Sequence, residues 1–201
     1  MTGRLRSSGE EPLSITGEIA SGIYGAWRLA RGDVGGIGYF NATRQGFWRS
    51  FLAMAIVAPL FASLLLLVYE GAPDQFEPVR FFTVNAIGYV AAWFVFPLIM
   101  FHVAQAIDRE RRFFVLIAAY NWASVIQNFI FIPLVVVAQI DVIPLDLAYI
   151  LIFATKTLVF IYTWFIARSA LGITSMLAAA IAAGDFVLAG VMNGIIEAML
   201  R

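Results

Sequence analysis

The sequence predicts an all-α protein, a polytopic transmembrane helix bundle of about five spans preceded by an interfacial amphipathic helix. Three observations carry that expectation. Hydrophobic residues occupy 62% of the 201 positions and charged residues only 13%, against roughly 45–50% and 25% in soluble domains, and mean hydropathy is +0.87. Apolar runs recur at about 47–69, 80–107, 113–140, 145–168 and 171–199, each long enough for a bilayer core of about 30 Å, which takes about 20 helical residues. The joints break the runs in the right way: EGAPDQFEP (70–78) is turn-rich and acidic, DRERR (108–112) is a knot of charge, and QIDVIPLD (139–146) carries two acids and a proline. The joint at 170–172 is the tight one.

Residues 1–45 are expected to form a cytoplasmic N-terminal segment and 46–201 the five-helix membrane domain. The start, MTGRLRSSGEEPLS, lacks the apolar stretch of a secretory signal and is expected to remain in the mature chain. Over 15–31, Ile15, Ile19, Ile23, Trp27 and Ala30 recur at about four-residue spacing, with Glu18, Ser21, Arg28 and Arg31 elsewhere on the wheel. That pattern suits a helix on the inner leaflet, with Trp27 at headgroup level and Arg28 and Arg31 toward anionic lipid. It equally suits a helix packed on the loops of its own bundle. GDVGGIG (32–38) reads as a connector, lacking the GxxxxGK[ST] of a phosphate loop.

Pro59, Pro97 and Pro133 fall inside the first three runs, where each removes a backbone donor. Phe47, Trp48, Phe81, Phe82, Phe113 and Phe114 sit at run ends and read as interface anchors. Orientation follows from the arginines, because cytoplasmic loops retain them. Arg4, Arg6, Arg28, Arg31, Arg44 and Arg49 precede the first span; Arg109, Arg111 and Arg112 follow the second, and Arg168 ends the fourth. The opposite loops hold Glu70, Asp74, Glu77, Asp141 and Asp146, with Arg80 and Arg201 as exceptions. The N-terminus is therefore expected in the cytoplasm and the C-terminus outside, in a bacterial inner membrane. The Asn41-Ala42-Thr43 sequon falls on the cytoplasmic side of that arrangement and reads as chance.

Ionisable residues inside spans are costly and mark candidate sites. Two stand out. Lys156 lies 12 residues before Arg168 and Asp185 lies 14 after Leu171, roughly 18 and 21 Å from the same turn at about 1.5 Å per residue. Equal depth permits an ion pair. Tyr149, Lys156 and Thr163 share a stripe on the fourth span; Asp185, Ala189, Asn193 and Glu197 share one on the fifth; Asn121, Ser124, Asn128 and Gln139 share one on the third. The three stripes are expected to face one another. The cluster then either fixes helix register or forms a site for a proton, an ion or a polar substrate. Gly190 and Gly194 make a GxxxG that allows close helix approach, within the chain or between chains.

Several chemistries are excluded. The chain has no cysteine and one histidine, His102, so thiolate catalysis and Cys- or His-rich metal centres are out. Net charge is zero and no basic run suits nucleic acid. No serine has a histidine and an acid arranged for nucleophilic work. No metal and no cofactor is expected.

The layout, together with AAYNWASVIQNFIFIP (118–133) at the start of the third span, resembles the Yip1-domain membrane proteins of bacteria. The DLYGP-type signature of eukaryotic members is absent. The resemblance implies a small non-enzymatic protein that organises membrane or binds partners: the bilayer, a second copy of itself, or other membrane subunits. The alternative from another class is a small transporter or channel-like protein using Lys156 and Asp185, with Asn121, Asn128 and Asn193 along the path.

Overall fold

The computed structural model describes residues 14–71, 75–140 and 142–201. Arg4, Arg6, Asp74 and Asp141, counted among the loop charges above, lie outside the described residues. Seven α-helices form among them: α1 (Ile15–Ala30), α2 (Arg44–Ser50), α3 (Leu52–Gly71), α4 (Pro78–Ala106), α5 (Phe113–Gln139), α6 (Leu145–Leu171) and α7 (Ser175–Leu200). Val34–Tyr39 and Glu110–Arg112 are short 3-10 helices, and no strand occurs among the described residues. Five segments are long and apolar enough to cross a membrane: α2 with α3, α4, α5 together with the 3-10 turn before it, α6, and α7. This is a multi-pass helical membrane protein. Helices suit that setting because they satisfy their backbone polar groups internally.

Local signals place the ends. Glu77 caps α4 by accepting from the N–H groups of Val79 and Arg80, with Pro78 at the first helical position, where a missing donor costs nothing. Gly172 ends α6 in the left-handed conformation at φ 63°, which glycine adopts without strain. Thr174 then caps α7 through Leu177 N–H. Arg112 donates to the carbonyl of Ala170 across this turn, tying the start of α5 to the end of α6. Topology gathers Arg28, Arg31, Arg44, Arg49, Arg109, Arg111, Arg112 and Arg168 at this end of the bundle. It is called the basic end below.

Helix α5 is central: it packs against α1, α2, α3, α4 and α6, while α7 leans on α6 and α4. Its burial is nearly continuous from Val115 to Val125 and then falls away. Buried residues of α6 likewise crowd toward its last nine positions, from Thr163 to Leu171, with Ala148 the outlier. Packing is therefore tightest at the basic end.

The first helix explains part of that tightness. α1 lies against α5 itself and not only against loops. Its buried residues are Glu18, Gly22, Gly25, Ala26 and Leu29, a face turned by about 100° from the aliphatic stripe that the spacing suggested. Ile15 is 56% exposed and Trp27 52%, while Ile19 and Ile23 flank the contact. The glycines decide the phase, because close approach recovers more packing than isoleucine bulk would. A Cβ on Gly22 would meet the Trp122 indole at 2.5 Å, and one on Gly25 would meet Tyr39 and Phe40. Tyr162 of α6 donates its hydroxyl to Ala26 O at 2.6 Å, and Ser21 donates to Tyr39 O at 2.7 Å.

Arg28 and Asp33 close the turn after α1. The Arg28 guanidinium pairs with Asp33 and donates to the Tyr39 hydroxyl, and Asp33 also accepts from Gly35 N–H. The Arg28 hydrogen bond, with the Gly35 N–H behind it, holds the Asp33 carboxyl below its ordinary 3.8, and the same bond raises Arg28. A depressed carboxyl contributes above its unfolded value and loses that contribution as pH falls through its folded one. Acidification below about pH 4 is accordingly expected to loosen this turn and expose Arg28 and Arg31 to trypsin. Asp33→Asn should abolish the acid step; an unchanged pH response in that variant would rule out the assignment.

Candidate functional site

A cleft of about 270 Å³ opens between α4, α5 and α7, with Phe61 of α3 at its edge. Its construction follows from helical phase. On α4, Tyr89, Trp93 and Phe96 stand at i, i+4 and i+7 and make one aromatic wall. On α5, Tyr120, Ser124 and Asn128 repeat every fourth residue and make the facing wall. From α7, Asp185, Ala189 and Asn193 enter at the same spacing. The Phe96 and Tyr120 rings stack with centroids 4.1 Å apart.

Asp185 is the charged residue of the cleft. Its Oδ1 accepts the Tyr120 hydroxyl at 2.9 Å. No other hydrogen bond and no ion pair reaches the carboxylate among the described residues, and no Lys, Arg or His lines the cleft. Ser124 donates back to Tyr120 O and Asn128 Nδ2 donates to Ser124 O. Those backbone bonds consume the Ser124 hydroxyl and one of the two Asn128 amide N–H groups. The acceptors left in the cleft are Asp185 Oδ2, Asn128 Oδ1 and the lone pairs of Ser124, beside the amide of Asn193.

Lys156 is not part of this cleft. It is exposed on α6 among outward apolar side chains, with Phe153 at 74% exposure and Leu158 and Tyr149 also bare. The ion pair expected with Asp185 is not made, and Lys156 has no hydrogen-bond or ionic partner among the described residues. Equal depth in a hairpin fixes one coordinate only; rotation about each helix axis is free, and here Asp185 turns to α5 while Lys156 turns out. The stripe Tyr149–Lys156–Thr163 is therefore split, with Thr163 buried near the basic end and the other two exposed. The α5 stripe is split as well. Asn121 is fully buried and donates to Ser50 Oγ of α2 at 2.9 Å, away from the cleft, and Gln139 is exposed.

The fifth-span glycines also look outward. A Cβ placed on Gly184, Gly190 or Gly194 would meet nothing within 4 Å. Among the described residues nothing packs against the GxxxG. At the basic end, Trp27 and Arg31 are exposed, whereas Arg28 is held by Asp33 and Tyr39.

Two pairings escaped the sequence reading. Tyr120 was readable as a partner for Asp185, since it stands one turn before Ser124 on the same face. The second is Glu18, 4% exposed inside α1, which accepts from Arg49 of α2 at 3.2 Å and from Asn41. Its signal was a lone acid on an otherwise small-residue face. No family model, no curated protein and no solved structure matches the chain.

Proposed function

We propose that this integral membrane protein works by lateral contact within the bilayer, as a homo-oligomer or as an accessory subunit of a larger membrane complex, without a catalytic step of its own. The observation that carries the reading is Lys156: an ammonium in mid-span, exposed among apolar side chains and without a partner among the described residues. A charge in that position is expensive against lipid and is normally turned toward protein or water. A neighbouring helix would cover it. The open glycines of α7 support the same reading, because small residues on an outer face allow close approach of a second helix. The resemblance to Yip1-domain proteins points to partner binding too, and the arginine distribution favours a bacterial inner-membrane protein with its N-terminus in the cytoplasm.

The test is the mass of the full chain in a mild neutral detergent. The parent is expected to run as a dimer or larger, or to co-purify with a defined membrane partner. Lys156→Met and Gly190→Leu/Gly194→Leu should both reduce it to a monomer. A parent that is monomeric and alone at all concentrations sinks the reading.

A second reading, a small transporter, draws on the cleft. It rests on Asp185, Asn128 and Asn193, since Lys156 and Asn121 stand outside that space. It requires uptake by proteoliposomes that fails in Asp185→Asn.

A further inference from the structure

We infer that the cleft between α4, α5 and α7 is a binding site for a lipophilic ammonium group, a protonated amine carried on an apolar or aromatic body. The site is independent of whether the protein associates through α6 and α7. Three features of the cleft select this chemistry together.

The first is charge. Asp185 stands about 15 Å into its span, counted from Ser175 at about 1.5 Å per residue, and among the described residues no cation reaches it. A carboxylate at that depth is stabilised by a counter-charge delivered from outside. The second is hydrogen-bond polarity. Ser124 spends its hydroxyl and Asn128 one of its two amide N–H groups on the α5 backbone, and Tyr120 donates to Asp185 Oδ1. Asp185 Oδ2, Asn128 Oδ1 and Ser124 Oγ remain as acceptors, which suit the N–H donors of an ammonium. The third is the wall. Tyr89, Trp93, Phe96 and Tyr120 present aromatic surface beside the carboxylate, and aromatic faces attract ammonium groups, most strongly when both are out of water.

A volume of about 270 Å³ accommodates one small arylalkyl amine. A phospholipid headgroup fits the site poorly, because its phosphate would enter beside Asp185 with no cation to receive it. Two sources of ammonium remain: a free amine, or the exposed Lys156 of a second copy reaching into the cleft.

Phenethylammonium and phenylacetate, similar in size and opposite in charge, are the probes, and binding is measured calorimetrically on the full chain in neutral detergent. The parent should bind phenethylammonium and discriminate against phenylacetate by on the order of tenfold or more. Asp185→Asn should lose on the order of tenfold in affinity for the amine, and Trp93→Leu should weaken it several-fold. The Trp93 variant gives a second readout should Asp185→Asn fail to fold. If the parent is silent and binding appears only in Lys156→Met, the ammonium site stands and its resident is the lysine of a second copy. Binding of both probes alike, or of neither in the parent and in Lys156→Met, overturns the inference. So does amine affinity that folded Asp185→Asn and Trp93→Leu leave unchanged. The mass measurement is separate, so failure of the contact reading and failure of this site are distinguishable.

Discussion

Gly22→Val is expected to cost about 3 kcal/mol and to detach α1 from the bundle. Even the first added carbon would sit 2.5 Å from the Trp122 ring, and that ring has nowhere to go: Trp122 is 2% exposed at the centre of the most enclosed stretch of α5. Inserting methyl groups into a packed contact costs typically about 1–3 kcal/mol, and two branches on a rigid helix against a rigid indole belong at the top of that range. Thermal unfolding in detergent reads the loss. Trypsin accessibility at Arg28 and Arg31 reports whether α1 has lifted. Trp122→Leu in the same chain should recover part of the stability, since the two sites share one contact and are not additive. If Gly22→Val melts with the parent, α1 does not sit on Trp122.

Glu18→Ala comes next in size, at about 3 kcal/mol. Breaking one partner of a buried ion pair costs about 3–5 kcal/mol because the other charge stays buried. The Arg49 side chain retains 23% exposure, which places this pair at the low end. Glu18 also receives Asn41 at 3.4 Å, so the loss is shared between two donors. The cycle with Arg49→Met separates coupling from packing: the double variant should cost clearly less than the two single losses combined. Strict additivity would show that Glu18 and Arg49 do not depend on each other.

Much of the architecture was legible because the bilayer simplifies the code. Runs of about 20 apolar residues, the Glu77–Pro78 start of α4, the DRERR joint and the Gly172–Thr174 turn place the spans within a few residues of their observed ends. Rotation was harder. Inside lipid every helix face is apolar, so hydrophobic periodicity carries little phase, and packing is decided by residues that such a pattern does not register. In α1, which lies outside the five spans, Gly22 and Gly25 likewise set the phase in place of the isoleucine stripe. The cleft was half legible. Asp185, Ser124, Asn128 and Asn193 do share it, and Tyr120 lay one turn from Ser124 in plain view. Lys156 was misplaced because α6 is enclosed only toward the basic end, so a stripe that buries Thr163 leaves Lys156 bare.

The hydroxyl of Tyr162 resting on the carbonyl of Ala26 sets a clock on how the chain is made. These residues are 136 positions apart, and ribosomes add roughly 5–20 residues per second, so α1 waits about 7 to 27 seconds for this partner. Its partners arrive in sequence: Tyr39 for Ser21 first, Arg49 for Glu18 next, Trp122 for Gly22 later, and Tyr162 for Ala26 after that. The buried acid of α1 is thus answered early, and its Gly22 position stays open until the third span is in place. The contact of α1 with α6 forms only once the fourth span is made, although α1 itself precedes all five.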